Sequence, residues 1–386
     1  MKIGICLASA PGYSETFLRS KIKGLGERGF KLNVFLFNRS KFSDDINSVN
    51  PFPVQAAWLW MPFVLLTLLS FRLRISKRFV QLELADGKSL LSILKSLYLN
   101  AHIFIKGRHD WLHFSFATIA IGRENVAKAI GAKLAISIRG FDIGLYPITH
   151  PGCYENLWRK VSKLHTISDD LYDLAILDGL SRSVPFKKIR PAIQTANILA
   201  KNTFGFVQQP VRILSVGRLE WKKGFVYAIQ AISYLRASGI NVNYQIAGTG
   251  SVEQELRYMI RDLKLENTIK LLGRIEHKHI FQLMHDSDIY IQPSVQEGFC
   301  NSLLEAQGTG LLCISTDAEG LAENILHEKT GWIVPKRNPK ALSDKVIDVL
   351  AMSSKDREKI CLNAMKRVKE EFQIDRLINE FISFYN

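Results

Sequence analysis

Cysteine is scarce in this chain. Five thiols stand in 386 residues, at Cys6, Cys153, Cys300, Cys313 and Cys361, with no Cys-x-x-Cys pair. No Cys/His cluster has zinc spacing, so a disulfide scaffold and a structural zinc site are excluded. Cys6, Cys313 and Cys361 fall in apolar patterns and are expected as buried thiols of a reducing, cytoplasmic compartment. Acidic side chains are also in deficit: 36 Asp and Glu against 51 Lys and Arg, net +15. The deficit is uneven. Residues 1–200 hold 27 basic and 14 acidic side chains, net +13, whereas residues 201–386 hold 24 and 22. A partner that wants positive charge therefore meets the N-terminal half. No aromatic–basic motif accompanies the charge, so no nucleic-acid partner is expected. Internal repeats and low-complexity tracts are lacking. So is a Gly-x-Gly-x-x-Gly turn, which leaves a dinucleotide site unsupported. No apolar run reaches the roughly 20 residues of a spanning helix. The run at Met1–Ala8 opens straight into a strand pattern, too short for a secretory leader.

What is present is a steady alternation of strand and helix signals. Lys2–Ser9 reads as a strand, and Ser14 caps a helix running to about Arg28 with Phe17, Leu18, Ile22 and Leu25 on its apolar face. Leu32–Phe37, Trp111–Ala117, Lys133–Ile138 and Leu164–Ser168 are further strands, with helices at 119–130 and 169–177. Residues 195–210 are loosely patterned and expected as a linker. The second half repeats the rhythm, with strands at Val211–Val216, Val242–Ala247, Ile269–Leu272, Ile289–Gln292 and Leu312–Ser315, and a helical end from about Ala341. Alternating strands and helices imply parallel sheets whose sites lie at the strand C-terminal ends. The length suits two such domains.

Ala56–Phe71 stands apart: sixteen residues without a charge, followed at once by Arg72, Arg74, Lys77 and Arg78. Pro62 interrupts the run. Two readings stand: a buried core helix, or an interfacial element with tryptophans at the headgroups and cations on anionic lipid.

Two motifs carry the chemistry. Ser294-Val-Gln-Glu-Gly-Phe-Cys-Asn-Ser-Leu-Leu-Glu305 follows a strand, turns at Gly298 and opens a helix at Asn301. Free backbone N–H groups and the helix dipole make such a turn an anion site. Glu297 on the turn can accept from sugar hydroxyls, and Glu305 in the helix can hold a ribose diol. Ser215-Val-Gly-Arg-Leu-Glu-Trp-Lys-Lys-Gly224 places Arg218 and Lys223 between a strand end and a helix start, as a diphosphate clamp would. Weaker signals are the glycine turn at Gly248 and Gly250, and Arg274, which can pack on a base. His113 is either a core histidine or a cleft group. Arg139-Gly-Phe-Asp142 is a polar pair on a strand-end turn, poised for phosphate or hydroxyl contact or for a structural ion pair. Tyr13-Ser-Glu-Thr16 either caps its helix or faces the diphosphate.

On these residues the chain resembles glycosyltransferase family 4, retaining enzymes of the two-domain GT-B fold. The carriers are Glu297-Gly-Phe-Cys-Asn-Ser-Leu-Leu-Glu305, Gly217-Arg-Leu with Lys223-Gly224, Gly248-Thr-Gly250, Gly273-Arg274 and Lys329-Thr-Gly-Trp332. Ser14-Glu-Thr-Phe resembles members that build exopolysaccharide, capsule and lipopolysaccharide. The resemblance implies an α/β GT-B fold of two doubly wound Rossmann-like domains facing a central cleft. Residues 1–200 would be the acceptor domain, 201–365 the nucleotide-sugar domain, and 366–386 a helix packing back toward the first. Arg218 and Lys223 would hold the donor diphosphate, Glu297 the donor sugar and Glu305 the ribose. Arg274 would lie near the base and His113 on the acceptor side, while backbone groups of Gly298, Phe299, Cys300 and Asn301 grip sugar and phosphate. Two departures stand out. Arg139 occupies a place where many members carry histidine, and as a fixed charge it cannot shuttle a proton. Ala318-Glu-Gly320 replaces the usual Gly-Gly turn, putting Glu319 beside the donor.

The implied reaction is transfer of a sugar from a nucleotide diphosphate sugar to a saccharide or lipid-linked acceptor with retained configuration, by a hexosyltransferase-type enzyme. Arg218, Lys223 and helix N-termini would offset the leaving charge. No Asp-x-Asp element is placed beside these groups, so neither metal nor cofactor is expected. A peripheral position on the inner membrane face, against an anionic surface, fits the basic N-terminal half. The rivals are a nucleotide-sugar epimerase of the same fold and a non-catalytic nucleotide-sugar-binding subunit.

Overall fold

The structure is a computed structural model that describes residues 1–12, 16–41, 47–55, 57–195, 198–201, 204 and 207–386, the side chains of residues 16 and 58 excepted. The expected cap Ser14, with Tyr13, Glu15 and the Thr16 hydroxyl, lies outside the described residues, as does part of the expected linker. The chain divides into two units, Met1–Ile189 with Leu377–Asn386, and Arg190–Arg376. The break precedes residue 200 because Ile193 already bridges to Gln373, and its N–H donates to the Phe372 carbonyl.

The first unit is built on seven parallel strands: β1 (Lys2–Leu7), β2 (Lys31–Leu36), β3 (Ser48–Val49), β4 (Trp111–Phe114), β5 (Lys133–Ile138), β6 (Lys163–Thr166) and β7 (Phe186–Lys188). Their order is β3-β2-β1-β4-β5-β6-β7. Helix α1 (Thr16–Glu27) buries Leu18, Ile22 and Leu25, the stripe that its periodicity predicts. Three helices then separate β3 from β4: α2 (Ala57–Phe71), α3 (Leu73–Ala85) and α4 (Leu90–Lys106). Among the described side chains of α2 only Val64 and Leu68 are fully buried, while Phe63, Leu66 and Phe71 are 70, 63 and 78% exposed. The core-helix reading of this segment is therefore not met. Among the described residues no single helix is long and apolar enough to cross a membrane. The helix expected at 119–130 is broken into a 3-10 turn at Ala117–Ala120 and a short helix at Val126–Ala129. Gly122 turns the chain between them with φ +72°, and its N–H donates to the Glu124 carboxylate at 2.8 Å.

The second unit holds six parallel strands: β8 (Val211–Val216), β9 (Val242–Ala247), β10 (Ile269–Gly273), β11 (Ile289–Gln292), β12 (Leu312–Thr316) and β13 (Trp332–Val334). Their order is β10-β9-β8-β11-β12-β13. Ile213, Tyr244, Ile289 and Ile314 of the strands pack with Ile229 and Ile232 of helix 225–237 and Val346 of helix 339–351. Both units thus have the doubly wound order in which chain direction across the sheet reverses once, and the two Rossmann-like folds expected are met. Ligands of such sheets bind outside the strand C-terminal ends at that reversal. It lies between β1 and β4 in the first unit and between β8 and β11 in the second.

Candidate active site

The two strong motifs leave the two strands that flank the reversal in the second unit. After β8 the chain passes through Gly217 and Arg218 into a single 3-10 turn, Trp221–Lys223. After β11 it turns through Ser294–Gly298 into helix 301–309. The turns are tied together, because the Val295 N–H donates to the Lys222 carbonyl at 2.7 Å. This brings Lys223 Nζ onto Glu297 Oε2 in an ion pair whose side chains are only 12 and 14% exposed. The Ser294 hydroxyl donates to the same carboxylate oxygen at 3.3 Å, and Gln292 Nε2 holds Ser294 at 2.8 Å. Burial opposes the Lys223 charge, but the Glu297 carboxylate outweighs it and holds the ammonium above its ordinary range. Arg218 is exposed and forms no ion pair among the described residues, although its charge reaches Lys223.

The turn itself is held by backbone. The Glu297 N–H donates to Glu319 Oε2 at 2.9 Å, and the Gly320 N–H returns to the Glu297 carbonyl at 2.9 Å. A Cβ at Gly320 would stand 1.8 Å from the Gly298 carbonyl, so the approach needs glycine there. Glu319, which departs from the resembled pattern, thus acts as a clasp on the turn, with Lys336 at 3.2 Å on its other oxygen. Cys300 is pinned by Asn324, whose side-chain amide accepts from its N–H and donates to its carbonyl, both at 3.0 Å. Its thiol is buried, and burial raises its pKa despite the nearby Lys223 charge. Phe299 is buried and packs on Phe372 at a centroid distance of 5.8 Å. Helix 301–309 has no side-chain cap at Cys300. The Ser302 hydroxyl donates to the Val216 carbonyl at 3.0 Å. The first-turn N–H groups at Asn301 therefore receive no cap from that residue, as an anion site requires.

Glu305 is buried one turn into this helix and accepts from His277 Nε2 at 2.8 Å. The hydrogen bond to Glu305 holds the imidazole protonated above its usual range, against its partial burial. His277 opens the helix after β10 and is the residue that sequence reasoning missed. It lies 28 positions from Glu305, and no local pattern links them. Arg274 is exposed on the turn after β10. Gly248 has φ +150°, and a Cβ there would meet the Gly217 carbonyl at 1.8 Å. A Cβ at Gly250 would meet the Leu219 carbonyl at 2.2 Å. This glycine turn therefore packs directly on the Arg218 loop.

The other two candidates, His113 and Arg139, belong to the first unit. His113 has no exposed surface. Lys21 Nζ at 3.2 Å and the Tyr385 hydroxyl at 2.5 Å both reach its Nδ1. Its Nε2 donates to Ser137 Oγ at 2.7 Å, which donates in turn to His165 Nδ1 at 2.7 Å. Phe381 and Phe384 pack on both rings. The acceptor-side role expected of His113 is thus not met: a sealed imidazole touches no acceptor, and burial lowers its basicity far below the usual histidine range. Arg139 is half-buried, its guanidinium 3.9 Å from the Phe17 ring centroid. Asp142 is buried and accepts from the N–H groups of Arg139, Gly140 and Ala117 at 2.8, 3.0 and 3.2 Å. Its carboxylate therefore closes the backbone turn rather than offering itself to a substrate.

Residues 199–367 match the family model described as glycosyl transferases group 1. WcaL of Escherichia coli, named for colanic acid biosynthesis, is 23% identical over 413 residues, covering 99% of each chain. The amylovoran biosynthesis glycosyltransferase AmsK of Erwinia amylovora is 34% identical over 272 residues, which is 68% of this chain and 65% of AmsK. Among solved structures, Anabaena HepE in complex with UDP and glucose aligns over 99% of this chain and 98% of its own, at 17% identity and a TM-score of 0.71. The whole chain thus has the GT-B fold, and the stretch that matches the glycosyl transferases group 1 model holds the Lys223–Glu297 pair at the reversal of its sheet.

Proposed function

We propose that this protein is a retaining family 4 glycosyltransferase that moves a sugar from a nucleotide diphosphate sugar to a lipid-linked saccharide during cell-surface polysaccharide biosynthesis, at the cytoplasmic face of the membrane. The observation that carries this is the Lys223–Glu297 pair beside exposed Arg218 and the helix start at Asn301. Together they supply two cations and backbone donors for a diphosphate, with a carboxylate alongside for sugar hydroxyls. On donor binding Lys223 and Arg218 take the diphosphate, and Glu297 accepts from the sugar. Glu305 takes the ribose diol in competition with His277, and Arg274 faces the base. Breaking the glycosyl–phosphate bond leaves an oxocarbenium-like sugar and a diphosphate, whose charge the two cations offset. The diphosphate then receives the proton of the attacking hydroxyl on the same face, so no covalent side-chain nucleophile is needed. The first unit takes the acceptor. HepE was solved with UDP and glucose, and the two relatives are named for exopolysaccharide biosynthesis, which support the donor class and the pathway.

The test is a hydrolysis and transfer screen over UDP-, GDP- and ADP-sugars with native membrane extract, with and without a chelator. One donor is expected to turn over with retained configuration in both conditions. Lys223→Ala and Glu297→Ala should each lose about 100-fold or more in kcat/KM. Turnover of no donor would overturn the enzyme reading. Full activity in both variants would overturn the site, and an epimerised nucleotide sugar as product would replace transfer with epimerisation.

A further inference from the structure

We infer that α2 and the basic segment after it form a docking surface for an anionic lipid bilayer, seated in the bilayer interface rather than crossing it. A helix that is apolar on every side is normally buried on every side. Helix α2 is uncharged throughout, yet among its described side chains only Val64 and Leu68 are fully buried, and its main packing partners are α3 and α4. Leu59, Trp60, Phe63, Leu66, Leu69 and Phe71 are left exposed. An apolar face of this kind marks a binding surface. Its neighbours identify the partner. From residue 46 to residue 82 the chain has no acidic side chain. Arg74, Lys77 and Arg78 stand exposed on α3, directly after the apolar face.

The join is built rather than loose. The Arg72 guanidinium donates twice to the Ile105 carbonyl, at 2.8 and 3.2 Å, and the chain bends by 109° between the two helices. An apolar rod and a cationic rod are thereby held at a fixed angle, as an interface with hydrocarbon below and phosphates above would select. A second copy of this chain is a poor occupant, because a self-complementary contact would bring the same cations together. Helix α2 by itself is too short to span. Fifteen residues reach about 22 Å, against a hydrocarbon core of about 30 Å. Trp60, half exposed near the start of the helix, suits the headgroup level. None of this depends on the donor chemistry, so either reading can fail alone.

The experiment is flotation of the full chain with phosphatidylcholine vesicles and with vesicles containing roughly a third phosphatidylglycerol, at low and high salt. Wild type is expected to float with the anionic vesicles and to bind the zwitterionic ones about tenfold more weakly or less. The triple variant Phe63→Ser, Leu66→Ser, Phe71→Ser should stay at the bottom of both gradients. Arg74→Glu, Lys77→Glu, Arg78→Glu should lose about 100-fold on anionic vesicles, from about fivefold per cation. Far-ultraviolet dichroism and donor hydrolysis at wild-type level in both variants keep folding and the donor site out of the comparison. Wild type that floats with neither vesicle, or an apolar variant that floats like wild type, overturns the proposal. So does a vesicle-free dimer that the apolar variant splits, since that assigns α2 to a second copy.

Discussion

The first unit buries a lysine and histidines, the second partly buries a lysine and a histidine, and the two sets of groups behave in opposite ways. In the second unit Lys223 faces Glu297 and His277 faces Glu305, so both bases are held in their charged form. In the first unit Lys21 and His113 meet, among the described residues, each other, Ser137, His165, Tyr385 and aromatic rings. Burial, then the nearby Arg139 charge, lowers Lys21 far below the ordinary lysine range, and His113 and His165 fall likewise. What decides between them is a carboxylate. With one, burial yields a poised charge that can be handed to a ligand. Without one, the same residue types become a neutral wire of hydrogen bonds inside a core.

The sharpest way to break this comparison is to remove both lysines in the same manner. Lys223→Met leaves Glu297 half-sealed without its cation, and is expected to cost about 3–5 kcal/mol of stability. Lys21→Met replaces an amine whose charged form burial disfavours with an apolar chain, while His113 keeps the Tyr385 hydroxyl. Its expected cost is within about 1 kcal/mol. Urea unfolding of the two variants decides. Equal costs would show that the carboxylate is not the difference.

Acid should act on the units in opposite senses. In the first unit burial lowers His102 and His109 to about 4, and holds His113 and His165 well below the usual histidine range. The unfolded chain takes up these protons near pH 6.5 and the folded chain does not, so stability falls as pH drops below that value. His102 alone accounts for about 3 kcal/mol lost between about pH 6.5 and pH 4. The urea midpoint of His102→Gln should fall less steeply over that range than that of wild type. A parallel fall would place the acid sensitivity elsewhere.

His277 sharpens the same contrast from the other side. Its pKa is raised, so the stability it lends is complete below the unfolded value near 6.5 and is lost as pH rises through the higher folded value. The pair is partly exposed, which keeps the contribution to a few tenths of a kcal/mol. His277→Gln should therefore change stability little. It should alter the pH dependence of donor KM more than that of kcat, because it frees Glu305 for the ribose. A kcat effect with an unchanged KM profile would take His277 out of the donor site.

The strands were legible because parallel strands covered on both faces write continuous apolar runs, as Ile289–Gln292 and Leu312–Thr316 do. The donor turns were legible because glycine and charge stand at strand ends. Helices α3 and α4 were not expected from the mixed pattern after Phe71, where packing on α2 decides the structure. Gly122 was overlooked as a breaker at 119–130. His113 was ambiguous for a plain reason. Nothing within Trp-Leu-His-Phe tells that Phe384 and Tyr385, some 270 residues on, close over the ring. The His277–Glu305 pair and the Glu319 clasp are equally non-local.

The first unit is not a contiguous piece of the chain, since Leu377–Asn386 completes it. During synthesis the histidine wire stays uncapped while the whole second unit is made, because Phe381, Phe384 and Tyr385 follow that unit in the chain. N-terminal domains ordinarily mature first on the ribosome. Here the order of completion is inverted, and a gene fragment cut at the junction between the units encodes a first unit that lacks the cover of its own core.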